Sequence, residues 1–169
     1  GKIRAIGASN LNRDQFMQYV NSGDLDLIQE KYSMLDRGVE EKFFGLCKEH
    51  NVTFQAYSPL ERGVLTGKYD PDSKVNMGLA KSKIKWYEKE NLVKVVELKK
   101  KWQPLFEKYG CSMTELVLAW TMSQGTGKNV NVLGGARTIP QIEQNVGGGN
   151  ISISSDDLAT MRKDVEAIS

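Results

Sequence analysis

Five short stretches of this sequence carry side chains able to hold a polar, ring-bearing ligand: Ser9-Asn10, Gln29, Tyr57-Ser58-Pro59-Leu60, Gly63 to Lys68, and Gly134 to Thr138. The amides of Asn10 and Gln29, with the Ser9 hydroxyl, present donors and acceptors suited to a planar carboxamide. Tyr57 offers an aromatic face for stacking. Gly63 and Gly67 allow tight turns and close backbone approach to a ligand, with Lys68 available for an anion. Gly134-Gly135-Ala136 leads into a helix start, whose free N–H groups and positive dipole end suit a phosphate. Arg137 adds a planar, permanently charged fork that grips phosphate bidentately. Together they point to a phosphorylated, ring-bearing cofactor. Each stretch also has a plainer reading: Ser-Asn as a helix cap, Gln29 satisfying a buried backbone group, and the glycines as ordinary turns.

The elements that must position these groups alternate between strand and helix. Lys2 to Ala8 reads as a first, buried strand, followed by a helix over Arg13 to Val20 capped by Asn10 or Asn12. Phe16, Met17 and Val20 form its apolar face, and Ser22-Gly23-Asp24 ends it. Leu25 to Tyr32 is the second strand, Val39 to Glu49 a helix with Phe43, Phe44 and Cys47 inward, and Val52 to Tyr57 the third strand. Pro59 marks its end, because proline cannot donate to a central ladder. A loop through Asp70-Pro71 follows, and Asp70 to Lys83 is expected to form part of a pocket lid. Helical spacing runs from Ile84 to Lys108 with a break or kink at Pro104. Lys99 to Lys101 reads as a solvated helix face. Ser112 and Glu115 form a capping box for a mostly buried helix to Met122. Asn129 to Leu133 is the fourth strand, Ile139 to Val146 a helix with Pro140 in its first turn, and Gly147 to Gly149 a linker. Ser154-Ser155 caps a last amphipathic helix, Asp156 to Ile168, whose first-turn carboxylates suit the dipole.

This order predicts one α/β domain with a parallel sheet and right-handed crossovers. The four strands fall short of the closed (β/α)8 barrel, which has twice as many, and of the roughly five or six of an open doubly wound sheet. In either architecture the ligand site lies beyond the carboxyl ends of the strands, where Ser9-Asn10, Gln29, Tyr57 to Leu60 and Gly134 to Thr138 fall.

The 169 residues are enough for a sizeable core. With 23 Lys+Arg against 21 Asp+Glu, the net charge of +2 gives no reason to invoke nucleic acid or an anionic membrane. Two separated cysteines and one histidine argue against a zinc site or a disulfide framework. No apolar run approaches the roughly 18 to 20 residues needed to span a bilayer, and Gly1 to Arg4 lacks a signal-peptide core. A cytoplasmic location is therefore expected. Opening at Gly1, inside an expected strand, suggests a fragment.

Lys2 to Asn10 (KIRAIGASN), Gln29 to Arg37 (QEKYSMLDR), Tyr57 to Leu60 (YSPL) with Gly63 to Lys68 (GVLTGK), and Gly134 to Thr138 (GGART) leading to Gln141 to Asn145 (QIEQN) closely resemble the aldo-keto reductase family. The resemblance covers essentially the whole chain. It is nearest the branch with the Tyr-Ser-Pro-Leu and Leu-Thr-Gly-Lys signatures, which includes the potassium-channel β subunits. It implies the C-terminal half of a TIM (β/α)8 barrel that binds NADPH, or NADH, and reduces carbonyls. Carried over, Ser9, Asn10 and Gln29 hold the nicotinamide carboxamide and Tyr57 stacks on its ring. Ser58, Leu60, Gly63 and Lys68 line the pyrophosphate, with Pro59 and Leu65 also among the cofactor-binding residues. Gly135, Arg137, Thr138, Gln141, Gln144 and Asn145 surround the adenosine end, with Arg137 on the 2′-phosphate. Gln144 stands where many members have Glu.

The family's catalytic Asp, Tyr, Lys and His come from strands that have no counterpart here. His50 reads as a solvated helix-end residue at the wrong end of the strands. The resemblance thus implies the cofactor half of an oxidoreductase acting on a small carbonyl, inactive by itself. Its open sheet edges invite pairing with the missing half or with a second copy. A non-catalytic NADP(H)-binding regulatory module, as in the channel β subunits, is the alternative.

Overall fold

The computed structural model describes residues 1–73, 84–125 and 130–169. These group into two compact units, one of Gly1–Pro59 with Thr121–Leu133 and one of Leu60–Trp120 with Gly134–Ser169.

The first unit is built on a four-stranded parallel sheet in sequential order: β1 (Gly7–Ser9), β2 (Leu27–Lys31), β3 (Thr53–Tyr57) and β4 (Asn131–Leu133). β2 and β3 alternate in burial, with Ile28, Glu30, Phe54 and Ala56 buried and the residues between them half-exposed. Successive side chains on a strand point to opposite faces, so one face of the sheet is packed and the other is open. α1 (Arg13–Ser22) starts at Asn12, which accepts from the Gln15 amide while the Gln15 side chain accepts from the Asn12 amide. It ends at Gly23. Phe16 is its fully buried residue, 5.9 Å from the Phe43 ring. A π-helical turn, Glu40–Phe44, runs into α2 (Gly45–Glu49). Tyr32, Phe44 and Phe54 pack edge to face at centroid distances of 5.0 to 5.9 Å. This is the geometry that the ring quadrupole favours.

Two expectations need correction here. The first strand is Gly7–Ser9 rather than Lys2 to Ala8, and it is not buried: Ile3 and Ile6 are 69% and 40% exposed. Asp26 meets Ile6 through its side chain and backbone, and regular pairing starts only at Gly7 opposite Leu27. His50 ends α2 as expected but is not solvated: it is half-buried, its ring 6.0 Å from Phe16, its Nε2 3.9 Å from Glu49 Oε1 and without a hydrogen-bond partner.

The second unit is mainly helical. After a 3₁₀ turn, Glu61–Thr66, come a second at Lys85–Tyr87, then α3 (Lys89–Lys101), α4 (Gln103–Tyr109), α5 (Met113–Met122, belonging to this unit as far as Trp120), α6 (Ile139–Gly148) and α7 (Ser155–Glu166). The expected break falls at Trp102, with Pro104 in the first turn of α4. Trp102 is buried and its Nε1 donates to Asp164 Oδ2 at 2.9 Å, while Lys101 pairs with Asp164 Oδ1 at 2.6 Å. Ser112 and Glu115 form the expected capping box, and Leu116 to Trp120 are all buried. Lys99 and Lys100 bind Gly67 O and Glu97, so the basic run is a helix surface engaged with its neighbours.

The glycine run after Val146 is not a linker. Gly147 and Gly148 form the last turn of α6, where a β-carbon at 148 would sit 3.0 Å from both Glu115 O and Leu118 Cβ. Glycine suits this position because α6 and α5 approach closely there. The expected lid residues 74–83, and Asn129 of the fourth strand, lie outside the described residues. Among the described residues no helix is long and apolar enough to cross a membrane, and no three His, Cys, Asp or Glu side chains cluster to hold a metal.

Candidate functional site

In the first unit, β1 and β3 are each followed by a non-glycine residue in the left-handed region, Asn10 at φ 55° and Ser58 at φ 56°. Such backbone is costly, least so for Asn, and persists where surrounding contacts fix it. At Asn10 those contacts are visible. Its N–H donates to Gln29 O at 3.1 Å, its Nδ2 donates to Ser9 Oγ at 3.0 Å, and its Oδ1 accepts from the Tyr57 hydroxyl at 2.8 Å. Ser9 Oγ in turn donates to Gln29 O at 2.9 Å. Four of the residues singled out in the sequence, Ser9, Asn10, Gln29 and Tyr57, are thereby joined in one network.

The packed face of β2 fixes the same loop from behind. Leu11 N–H donates to Glu30 Oε1 at 2.7 Å, and Lys42 Nζ donates to Leu11 O at 2.9 Å. Burial raises the Glu30 carboxyl pKa above its ordinary value, opposed by the Leu11 N–H and by Lys42. Burial and the nearby Glu30 push the Cys47 thiol up to about 12, which leaves it an inert core residue.

Ser58 is half-buried and Pro59 buried. Gln29 Nε2 donates to Gln55 Oε1 at 2.7 Å, and Gln55 Nε2 donates to Asn131 Oδ1 at 2.7 Å. Gln55 and Asn131 were not among the residues singled out. The signal was present: Gln55 lies two before Tyr57, hence on the same strand face. Asn131 cannot be placed without the register of β4.

Gln29 and Asn10 retain complementary capacity. With its Nε2 on Gln55, Gln29 keeps Oε1 as an acceptor, and Asn10 keeps one Nδ2 hydrogen as a donor. A planar carboxamide needs one of each. The half-buried Tyr57 ring at the strand end supplies a flat surface. The donor set therefore fits the amide-bearing ring of a nicotinamide.

In the second unit, Leu60 and Leu65 are buried, Leu65 completely, so the Leu65 side chain serves the core. Glu61, Arg62 and Gly63 follow one another at positive φ, held by Thr66 Oγ1 on Gly63 O and the Tyr87 hydroxyl on Arg62 O. Gly67, at φ 71°, is hemmed in by Met113 and Lys99, so its close neighbours are protein atoms. Lys68 is exposed, its Nζ 5.0 Å over the Tyr69 ring.

Gly135, Arg137 and Thr138 are exposed at the start of α6. Thr138 is the N-cap but makes no side-chain capping bond, and Gln141 Oε1 accepts from Arg137 N–H at 2.8 Å instead. Gln144 Nε2 donates to Ser112 Oγ at 2.8 Å, and Asn145 Nδ2 donates to Gly135 O at 3.3 Å. These amides hold the glycine turn and α5, leaving the Arg137 side chain outward.

The model of the Aldo/keto reductase family matches residues 1–166. The chain is 41% identical over 168 residues to the NADH-specific methylglyoxal reductase of Escherichia coli K12, covering 99% of this chain and 50% of that protein. It is 28% identical over 166 residues to an aldo-keto reductase of Schizosaccharomyces pombe, yakc, whose name specifies NADP(+); the match covers 96% of this chain and 48% of that one. Among solved structures, a glycerol dehydrogenase of Gluconobacter oxydans superposes with a TM-score of 0.85 at 29% identity, over 98% of this chain and 50% of its own. The chain thus spans about half the length of the curated relatives it matches, and its four parallel strands with their helices have the fold of half a (β/α)8 barrel.

Proposed function

The chain belongs to the Aldo/keto reductase family, and on that footing we propose that it is the cofactor-binding half of an oxidoreductase that reduces small carbonyl compounds to alcohols. The observation that carries this reading is the network of Ser9, Asn10, Gln29 and Tyr57 at the ends of β1 and β3. Gln29 Oε1 and Asn10 Nδ2 hold the carboxamide, and the Tyr57 ring supports the nicotinamide. When bound, the reduced nicotinamide supplies the hydride. Tyr57 has no further part in the proton transfer, since its hydroxyl is the donor that holds Asn10.

Ser58, Pro59, Leu60, Gly63, Leu65 and Lys68 serve the pyrophosphate, chiefly through backbone amides where the side chains are buried. Gly135, Arg137, Thr138, Gln141, Gln144 and Asn145 serve the adenosine end. Arg137, exposed beside the start of α6, supports NADPH; the name of the Escherichia coli relative supports NADH. That name also supports a short, reactive carbonyl as substrate. On this reading the family's Asp, Tyr, Lys and His have no counterpart among the motifs matched here, and the 169 residues alone are expected not to turn over. Among the described residues β1 and β4 lie at the two edges of the sheet, and on this reading pairing with a second half or a second copy covers them.

The test is steady-state reduction of methylglyoxal and a generic aldehyde, followed by loss of reduced-nicotinamide absorbance. The full protein carrying these residues turns over, and the isolated 169 residues do not. Turnover by the isolated chain above that of a Tyr57→Ala control contradicts the second half of the reading. Absence of turnover by the full protein with either cofactor contradicts the first.

A further inference from the structure

Ser9, Gln29, Gln55 and Asn131 occupy one register line across all four strands: Ser9 is opposite Gln29, Gln29 opposite Gln55, and Gln55 opposite Asn131. On this line three primary amides are linked end to end, from Gln29 Nε2 to Gln55 Oε1 at 2.7 Å and from Gln55 Nε2 to Asn131 Oδ1 at 2.7 Å. A primary amide has a donor end and an acceptor end, so such a chain has a direction. With Asn131 accepting at one end, Gln55 presents its oxygen to Gln29, and Gln29 keeps its own oxygen open at the other.

We propose that Gln55 and Asn131 are positioning residues that fix which way the Gln29 amide faces, so that its carbonyl oxygen, not its NH₂, meets the carboxamide NH₂ of the nicotinamide. This rests on the proposed cofactor reading. An unrestrained Gln29 side chain rotates about three bonds and presents either end, and a reversed amide sets NH₂ against NH₂. The sheet supplies the restraint. Parallel pairing holds the three Cα atoms in register, and Lys31, Tyr57 and Leu133 form the next row on the same face, Tyr57 among them. Gln55 and Asn131 therefore lie one row below the proposed ring support, in a position to set the ligand's orientation through Gln29 without touching it.

The test measures binding of NADH and of its reduced 3-acetylpyridine analogue, in which a methyl ketone replaces the carboxamide, to the full protein and its variants. Gln55→Leu is expected to weaken NADH roughly 3- to 10-fold, the worth of about one hydrogen bond, and to leave the analogue within about twofold. Gln55→Glu, which still accepts from Gln29 Nε2, is expected to retain NADH affinity. Asn131→Leu, which removes the acceptor of Gln55 Nε2, is expected to resemble a milder Gln55→Leu. Equal losses for both ligands in Gln55→Leu, or no loss for either, overturn the proposal. Gln29→Ala separates the two levels: if it weakens NADH while Gln55→Leu does not, the ladder fails alone. If Gln29→Ala itself leaves NADH binding unchanged, the carboxamide site and the ladder fail together.

Discussion

The Tyr57 hydroxyl donates to Asn10 Oδ1 at 2.8 Å, tying the end of β3 to the end of β1 across the intervening strand. Asn10 sits at φ 55°, a conformation that needs such a restraint. Tyr57→Phe keeps the ring but releases Asn10. The expected result is a loss of cofactor affinity of roughly 3- to 10-fold, corresponding to one hydrogen bond, with thermal stability nearly unchanged. Calorimetric titration of the full protein checks this. Unaltered affinity means that Asn10 is held without Tyr57.

Gly148→Ala places a methyl group 3.0 Å from Glu115 O and Leu118 Cβ. Overpacking of this kind costs about 1 to 3 kcal/mol, partly offset by the better helix propensity of alanine. A net destabilisation of about 1 to 2 kcal/mol is expected in urea unfolding. Gly38→Ala, where a β-carbon meets nothing within 4 Å, should fall within about 0.5 kcal/mol of the parent.

Asp157 accepts from Lys108, Tyr109 and Ser154, and the first of these does most to lower its pKa from 3.8 to about 2. Its folded pKa lies below its unfolded one, so its contribution is complete above about pH 4 and is lost as pH falls towards 2. Asp157→Asn should therefore reduce stability at neutral pH, on the order of 1 kcal/mol given the exposure of the partner lysine. The gap from the parent should close between pH 4 and pH 2. A gap that persists at pH 2 assigns the effect to packing instead of charge.

Arg137→Ala removes the charged fork beside the start of α6. A charge-assisted bond to a phosphate is worth about 1.5 to 3 kcal/mol, so NADPH affinity should fall roughly 10-fold or more while NADH affinity stays as it was. Equal losses for both cofactors place Arg137 on the pyrophosphate or in the fold, not on the 2′-phosphate.

The helices were legible wherever a cap and a periodic apolar face coincided, as at Ser112 with Glu115 and at Ser154. The strands' existence was legible, their bounds less so. Lys2 to Ile6 is apolar enough to suggest a strand, but pairing depends on what lies opposite, and Asp26 meets Ile6 in place of a ladder. The glycines after Val146 look like a linker until the approach of α6 to α5 is known. Ser9, Asn10, Gln29 and Tyr57 were legible because each ends or lines a strand at a recognisable motif. Gln55 and Asn131 escaped notice because their significance arises only from register across β2, β3 and β4, a relation between residues as far apart as 29 and 131.

The central claim, that Tyr57 supports a nicotinamide ring, is tested most directly by titrating reduced nicotinamide dinucleotide into the full protein and its Tyr57→Ala variant, read by quenching of tryptophan fluorescence. Saturable binding by the parent, weakened at least about 10-fold in the variant with no loss of fold, is the predicted result. Equal affinity in the two proteins would contradict it.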